Sequence, residues 1–303
     1  MEVWQFLPNP WRQALGALIG EKLGGVEEIR FRVGRPVYLY GSGWHQVLAH
    51  SAVPQIVGAG DMDRIVAALV DHSLYARIDE LRQGFLTLPG GHRVGIAAHA
   101  VLQNGTLQAV RSITSLNLRV GRQVRGAAEA VLQRTGVLHG RSCLLVSPPR
   151  GGKTTLLRDL VRWCGDSGLR TVVVDERSEI SGFGGTVEQG FDLGEHTDVL
   201  DGWPKPEGIE VAVRTLGPDI VAVDELGGEA DVHAVLRARY AGVAVLATAH
   251  AHSASDLALR RHFGPLLDPS VFDAVVELSA SPHPGAIRRI RAPDAVDLAQ
   301  ASR

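Results

Sequence analysis

The sequence predicts an α/β protein whose core is a mainly parallel sheet covered by helices on both faces, preceded by a smaller α+β domain. Three observations carry this expectation. From residue 142 onward, short apolar runs rich in β-branched residues alternate with helical segments, as in a parallel sheet buried on both sides. The first of these runs opens into Ser147-Pro148-Pro149-Arg150-Gly151-Gly152-Lys153-Thr154-Thr155, a glycine-rich turn that starts a helix. Before residue 121 the texture differs, with alternating strands and turn signals beside two helical stretches. The domains are therefore expected at 1–125 and 126–303.

In chain order, residues 10–22 have helical spacing, with Trp11, Leu15, Leu18 and Ile19 on one side. Glu28–Val33 alternates polar and apolar as a half-buried strand, Gly34 and Pro36 interrupt it, and Val37–Tyr40 resumes it. Asp61 stands where it caps a helix running towards His72 that carries Ile65, Leu69 and Val70. Two or three strands follow, one pair joined by Gly90-Gly91. Asn104-Gly105 is a hairpin signal between 97–102 and 107–110. Ala127–Arg134 is helix-like and leads to the strand 142–146. A helix at 155–161 places Leu156, Leu157 and Leu160 on the sheet, and further buried strands lie at 171–174, 220–223, 243–247 and 274–278.

The 31 basic and 33 acidic residues leave a formal charge of -2, which gives no support to bulk nucleic-acid binding. Two cysteines, Cys143 and Cys164, lack metal-ligand spacing and read as reduced residues of a cytosolic protein, Cys143 in the core. The N-terminus lacks a secretory pattern, and no uncharged apolar stretch approaches the ~20 residues that span a bilayer.

The 147–155 turn has the parts a phosphate-binding loop needs. Backbone N–H groups of the turn and the helix N-terminus cradle phosphates, Gly151 and Gly152 allow close approach, and Lys153 neutralises the β- and γ-phosphates. The Thr154 hydroxyl is the candidate Mg²⁺ ligand. Ser147 replaces the first glycine of the pattern, a substitution expected to add strain of about 1 kcal/mol. Downstream, Ile220–Val223 ends in Asp224-Glu225. Asp224 is assigned to the metal and Glu225 to the attacking water. Two more strands end on the same sheet edge, where ligands bind: one in Asp175-Glu176-Arg177, the other in Thr248-Ala249-His250-Ala251-His252. For the histidines three roles stay open: a γ-phosphate contact, a metal site, or plain loop residues.

At this point the chain resembles a known family. The phosphate loop followed by Leu156–Asp159, then Asp175-Glu176-Arg177-Ser178-Glu179-Ile180, Asp198–Gly202, Val223–Glu225 and Ala247–His250 look like the stage III sporulation protein AA family. Glu27–Pro36 and Ser115–Arg119 are similar too, so the resemblance runs from about residue 27 to 280. The phosphate motifs are shared by many ATPases, whereas the Asp-Glu-Arg-Ser-Glu-Ile segment is much more specific. The resemblance implies a RecA-like P-loop core of the secretion-ATPase superfamily, ATP and Mg²⁺ as ligands, ATP hydrolysis and a hexameric ring. It also implies a place in the mother cell of an endospore former. There the protein would lie in the cytoplasm and dock at the membrane's cytoplasmic face onto the channel to the forespore.

Carried over by position, Lys153 and Thr154 match the phosphate loop, Glu225 the catalytic carboxylate, His250 the histidine box, and Asp175-Glu176 the acidic box. Glu176 and His250 thus join Lys153 and Glu225 as catalytic candidates. The Glu-Met-Arg-Asp continuation of secretion ATPases is replaced by Glu225-Leu226-Gly227-Gly228, which leaves Arg177, Arg214, Arg237 and Arg260 as candidates for a trans-acting arginine. Arg30, Arg32 and Arg35 either reach a nucleotide or neighbouring subunit, or form a solvated charged face. Two rival readings remain: a nucleic-acid-dependent motor, opposed by the near-neutral charge, and a nucleotide-binding scaffold without turnover, supported only by Ser147.

Overall fold

The computed structural model describes residues 2–22, 25–70, 78–103, 106–183, 190–281 and 283–291. The chain divides into two compact units, Met1–Arg122 with Gly182–Gly190, and Gln123–Ser181 with Phe191–Arg303.

The first unit is a six-stranded sheet in the order β3-β2-β1-β6-β5-β4, antiparallel throughout. Its strands are β1 (Val26–Arg32), β2 (Tyr38–Gly41), β3 (Trp44–Val47), β4 (Phe85–Leu88), β5 (His92–Gln103) and β6 (Thr106–Arg119). Alternation along β1 turns Ile29 and Phe31 into the core and leaves Arg30 and Arg32 on the other face. Helix α1 (Trp11–Lys22) buries Trp11, Ala14 and Leu15, and the Trp11 ring meets Phe31 edge-on at 5.3 Å. Helix α2 (Ala59–Leu69) buries Met62, Ile65 and Leu69 at helical spacing. The N-cap of α2 is Gly58, not Asp61. Asp61 sits one turn in, where its carboxylate accepts the Gly58 N–H at 2.9 Å and so satisfies a donor at the helix start. The expected course of this helix to His72 runs outside the described residues, as do Asn104 and Gly105, although β5 and β6 pair up to Gln103 and Thr106. A short helix α3 (Ile78–Arg82) precedes β4.

The second unit holds a seven-stranded sheet, β13-β12-β7-β11-β10-β8-β9. Six strands run parallel: β7 (Cys143–Ser147), β8 (Thr171–Asp175), β9 (Thr197–Asp201), β10 (Ile220–Leu226), β11 (Ala244–His250) and β12 (Ala274–Ser279). The edge strand β13 (Ala286–Arg291) is antiparallel to β12. Both faces are covered, and residue alternation sorts the core into two layers. Cys143 and Leu145 of β7 join Val173, Ala222 and Leu246 under helix α5 (Lys153–Asp166), which contributes Leu156, Leu157 and Leu160. Leu144 and Val146 face the other way, with Val174, Val223 and Val245, towards helices α6 (Lys205–Val211) and α7 (Glu229–Tyr240). A π-helical turn, Ala212–Leu216, continues α6. Helices α4 (Glu129–Thr135) and α8 (Ala254–Ala258) complete the unit. Both cysteines are buried free thiols in the α5 layer. Burial pushes both upward, Cys164 to about 12, so neither is poised as a nucleophile.

Candidate nucleotide site

Strand order decides which side chains meet. β11 lies between β7, which ends in the glycine-rich loop, and β10, which carries Asp224-Glu225 near its end. Thr248 and His250, two residues apart on β11, therefore stand between the loop and the acidic pair.

The loop turns sharply after β7. Arg150 has φ +62° and Gly152, the N-cap of α5, has φ +84°. Ser147 is not among the positive-φ residues, which corrects the expectation of strain there. It is the last residue of the strand, and the left-handed conformation falls instead on Arg150. Ser147 is a participant: its hydroxyl donates to Pro148 O at 2.8 Å, and Lys153 Nζ lies 3.2 Å from its Oγ. A Cβ on Gly151 would come within 2.2 Å of that Oγ, so the glycine makes room for the serine. On Gly152 a Cβ would meet Gly285 N at 2.6 Å, while Gly285 N donates to Gly151 O at 2.9 Å. The loop thus packs backbone to backbone against the turn before β13. At the start of α5 the first N–H groups have no partner within the helix and favour an anion.

Lys153 is 4% exposed. Its ammonium donates to Ser147 O at 3.1 Å and Pro148 O at 3.3 Å, and lies 3.0 Å from His250 Nδ1. Burial lowers its pKa against the pull of Asp224 and Glu225. An ammonium has no lone pair, so Nδ1 is the acceptor in this contact. The remaining proton then sits on Nε2, which donates to Glu225 Oε1 at 2.9 Å. Glu225 also faces Arg177 Nη1 at 3.6 Å. Burial would raise its pKa, but the His250 hydrogen bond and the charges of Arg177 and Lys153 outweigh burial and lower it.

Adjacent residues on a strand normally point to opposite faces, yet Asp224 and Glu225 both serve this site. A register shift against β11 explains it: Val223 pairs with Ala247 and Leu226 with Ala249, one extra residue on β10. Glu225 takes φ +52° at this bulge. Its N–H donates to Thr248 Oγ1 at 2.8 Å, and the Thr248 hydroxyl donates to Asp224 Oδ1. Thr154 Oγ1 donates to Asp224 Oδ2 at 2.6 Å. A hydroxyl and a carboxylate so close are hard oxygen donors suited to Mg²⁺, which is held by one or two side chains with phosphates and water supplying the rest. Among the described residues, no group of three or more His, Cys, Asp or Glu is placed to hold a metal alone. His252 uses its N–H on Asp256 Oδ2 at 3.0 Å, at the start of α8.

A cavity of about 400 Å³ opens beside this network, with Glu176, Arg177, Lys205, Glu225, His250 and Arg260 in its wall. Glu176 pairs there with Lys205. Asp175 turns inward, accepts three backbone N–H groups, and is raised in pKa by burial. Of the arginine candidates, Arg177 and Arg260 line the cavity, Arg237 pairs with Glu210 at 2.5 Å, and Arg214 is exposed. Arg30 belongs to the first unit, where it pairs with Glu28 and lies 5.2 Å over the Tyr40 ring. Sequence reasoning did not single out Thr248, although a buried hydroxyl two residues before His250 in an apolar strand was a usable signal. Lys205 left none, being 29 residues from Glu176.

A family model described as "Sporulation stage III, protein AA" matches residues 2–295. Over 294 residues the chain is 36% identical to stage III sporulation protein AA of Bacillus subtilis (strain 168), covering 95% of this chain and 94% of that protein. Among solved structures, it is similar to the pilus retraction motor PilT with bound ADP (TM-score 0.58, 16% identity, 95% of this chain and 86% of that one). It is also similar to the ATPase DotB of Legionella pneumophila (TM-score 0.53, 14% identity, 83% and 72%). At such identities the likeness is one of fold, and the α/β core is RecA-like.

Proposed function

The chain belongs to the sporulation stage III protein AA family, and from that premise we propose that it is a Mg²⁺-dependent ATPase that works as a ring at the cytoplasmic face of a membrane. In this reading its hexamer serves the channel between mother cell and forespore. The observation that carries the ATPase reading is one connected network across three elements. Lys153 meets His250, His250 meets Glu225, and Asp224 joins Thr154 to Thr248.

Each residue then has a task. The N-terminus of α5 and the Lys153 ammonium bind the β- and γ-phosphates, which requires Lys153 to leave Ser147 O and Pro148 O. Thr154 and Asp224 would hold Mg²⁺, which supplies neutralisation of phosphate charge when bound. Glu225, held ionised by His250 and Arg177, accepts a hydrogen bond from water and orients it towards the γ-phosphate. A carboxylate below its ordinary pKa is a weak base, so orientation is its larger contribution. Once Lys153 turns to phosphate, His250 Nδ1 loses its donor, and with the ring proton kept on Nε2 for Glu225 its contact with the γ-phosphate oxygens would run through a water that donates to both.

Lys153→Ala tests the reading. It should weaken ATP binding at least about tenfold and abolish Mg²⁺-dependent turnover. Unchanged ATP affinity would contradict it.

A further inference from the structure

The segment after β8 has no helix or strand from Glu176 to Ser181, yet Glu176, Arg177 and Glu179 all line the cavity. Its backbone is gripped by two buried side chains. Asp175, 2% exposed, accepts from the N–H groups of Glu179 at 2.9 Å, Ile180 at 3.0 Å and Ser181 at 2.7 Å, and from the Ser181 hydroxyl at 2.8 Å. Arg158, 7% exposed, takes carbonyls of the same stretch. Its Nε donates to Ile180 O at 2.8 Å and its Nη2 to Glu179 O at 2.6 Å, while the guanidinium lies 3.8 Å from the centre of the Phe191 ring. Phe191 N in turn donates to Ser181 O at 2.7 Å, where the chain re-enters the second unit.

Arg158 stands on α5 one turn beyond Thr154. Burial pulls its pKa down to about 10 against Asp224, Asp175 and Glu179, so it remains charged at neutral pH. A leucine would fill an apolar helix face without that desolvation. What arginine adds is a rigid planar fork that bonds two carbonyls at once. The fork joins the helix that opens at the phosphate loop to the segment whose Arg177 faces Glu225.

We propose that Arg158 is a positioning residue that fixes segment 176–181 to α5, so that a shift of α5 on phosphate binding is carried to Arg177 and through it to Glu225. The proposal rests on the reading of this cavity as a nucleotide site. It makes the family-specific Asp-Glu-Arg-Ser-Glu-Ile stretch a coupling element: Asp175 and the peptides of Glu179 and Ile180 are its anchors, and Glu176 and Arg177 are its working side chains.

Arg158→Lys keeps the charge but loses the fork, and it spares the core more than Arg158→Ala, which is expected to unfold readily. The measurement is amide hydrogen exchange on the full chain with and without Mg·ADP, read over 152–158 and 176–181. In wild type, nucleotide should slow exchange in both segments. In Arg158→Lys the protection of 152–158 should persist, while that of 176–181 falls about tenfold. Turnover should fall about tenfold with KM for ATP within about threefold. Equal nucleotide-dependent protection of 176–181 in variant and wild type overturns the proposal, as does a raised KM at unchanged kcat. Absence of protection at 152–158 in wild type instead overturns the nucleotide reading, and the coupling with it.

Discussion

Lys153 and Glu225 communicate through one imidazole, and the chemistry of that ring sets what each can do. Because Lys153 occupies Nδ1, His250 is a donor to Glu225, and this bond together with Arg177 holds the carboxylate ionised. A group whose folded pKa is lowered contributes stability that is present above its unfolded pKa and lost as pH falls through the folded value. His250→Ala should therefore unfold at lower temperature than wild type at pH 7. The gap should close as pH drops below the ordinary glutamate value of 4.5. A gap that stays constant to pH 3 would show that His250 contributes packing rather than charge stabilisation. Ser147 and Gly151 form a second residue-scale unit, since the glycine leaves room for the serine hydroxyl. Gly151→Ala should weaken ATP binding, and adding Ser147→Gly should restore part of it. Strictly additive losses in that double-mutant cycle would contradict the steric account.

Among elements, β10 is where local geometry matters most. Its extra residue turns two consecutive acids into one site, and it also shows where the sequence stops being informative. An apolar strand ending in Asp-Glu was readable, but the bulge and the left-handed Glu225 depend on pairing with β11, which no local pattern encodes. Strands β7, β8, β10, β11 and β12 were legible because burial on both faces demands continuous apolar runs. Strands β3, β9 and β13 went unpredicted because they are sheet edges, where charged and polar residues such as Arg288 and Arg289 are tolerated. The glycine-rich turn between β7 and α5 was legible residue by residue, whereas the anchoring of 176–181 by Arg158 joins positions 21 and 22 residues apart and had no local sign. Helix α7 offers a test at this scale. The Asp231 carboxylate accepts the N–H groups of Gly227 at 2.8 Å and Gly228 at 3.2 Å, capping the helix just beyond Glu225. Asp231→Ala should cost about 0.3–1 kcal/mol in denaturant unfolding. A loss below that range would mean that the cap is not needed to start α7.

At the scale of the molecule, the chain has a RecA-like unit with a connected polar network at its strand ends, an antiparallel unit, and near-neutral charge. Among the described residues, no helix is long and apolar enough to cross a membrane. In the proposed ring a neighbouring subunit would add charge at the γ-phosphate, so the isolated subunit is expected to hydrolyse ATP weakly. The measurement that tests the central claim most directly is Mg²⁺-dependent ATP turnover of wild type beside Glu225→Gln, with the assembly mass taken with and without ATP. The account predicts that wild type turns over, that ATP shifts its mass to a ring, and that Glu225→Gln binds ATP and assembles but is slowed by about 100-fold or more. Equal ATP binding with no hydrolysis by either protein, in the assembled state, would contradict the motor and leave a nucleotide-gated scaffold.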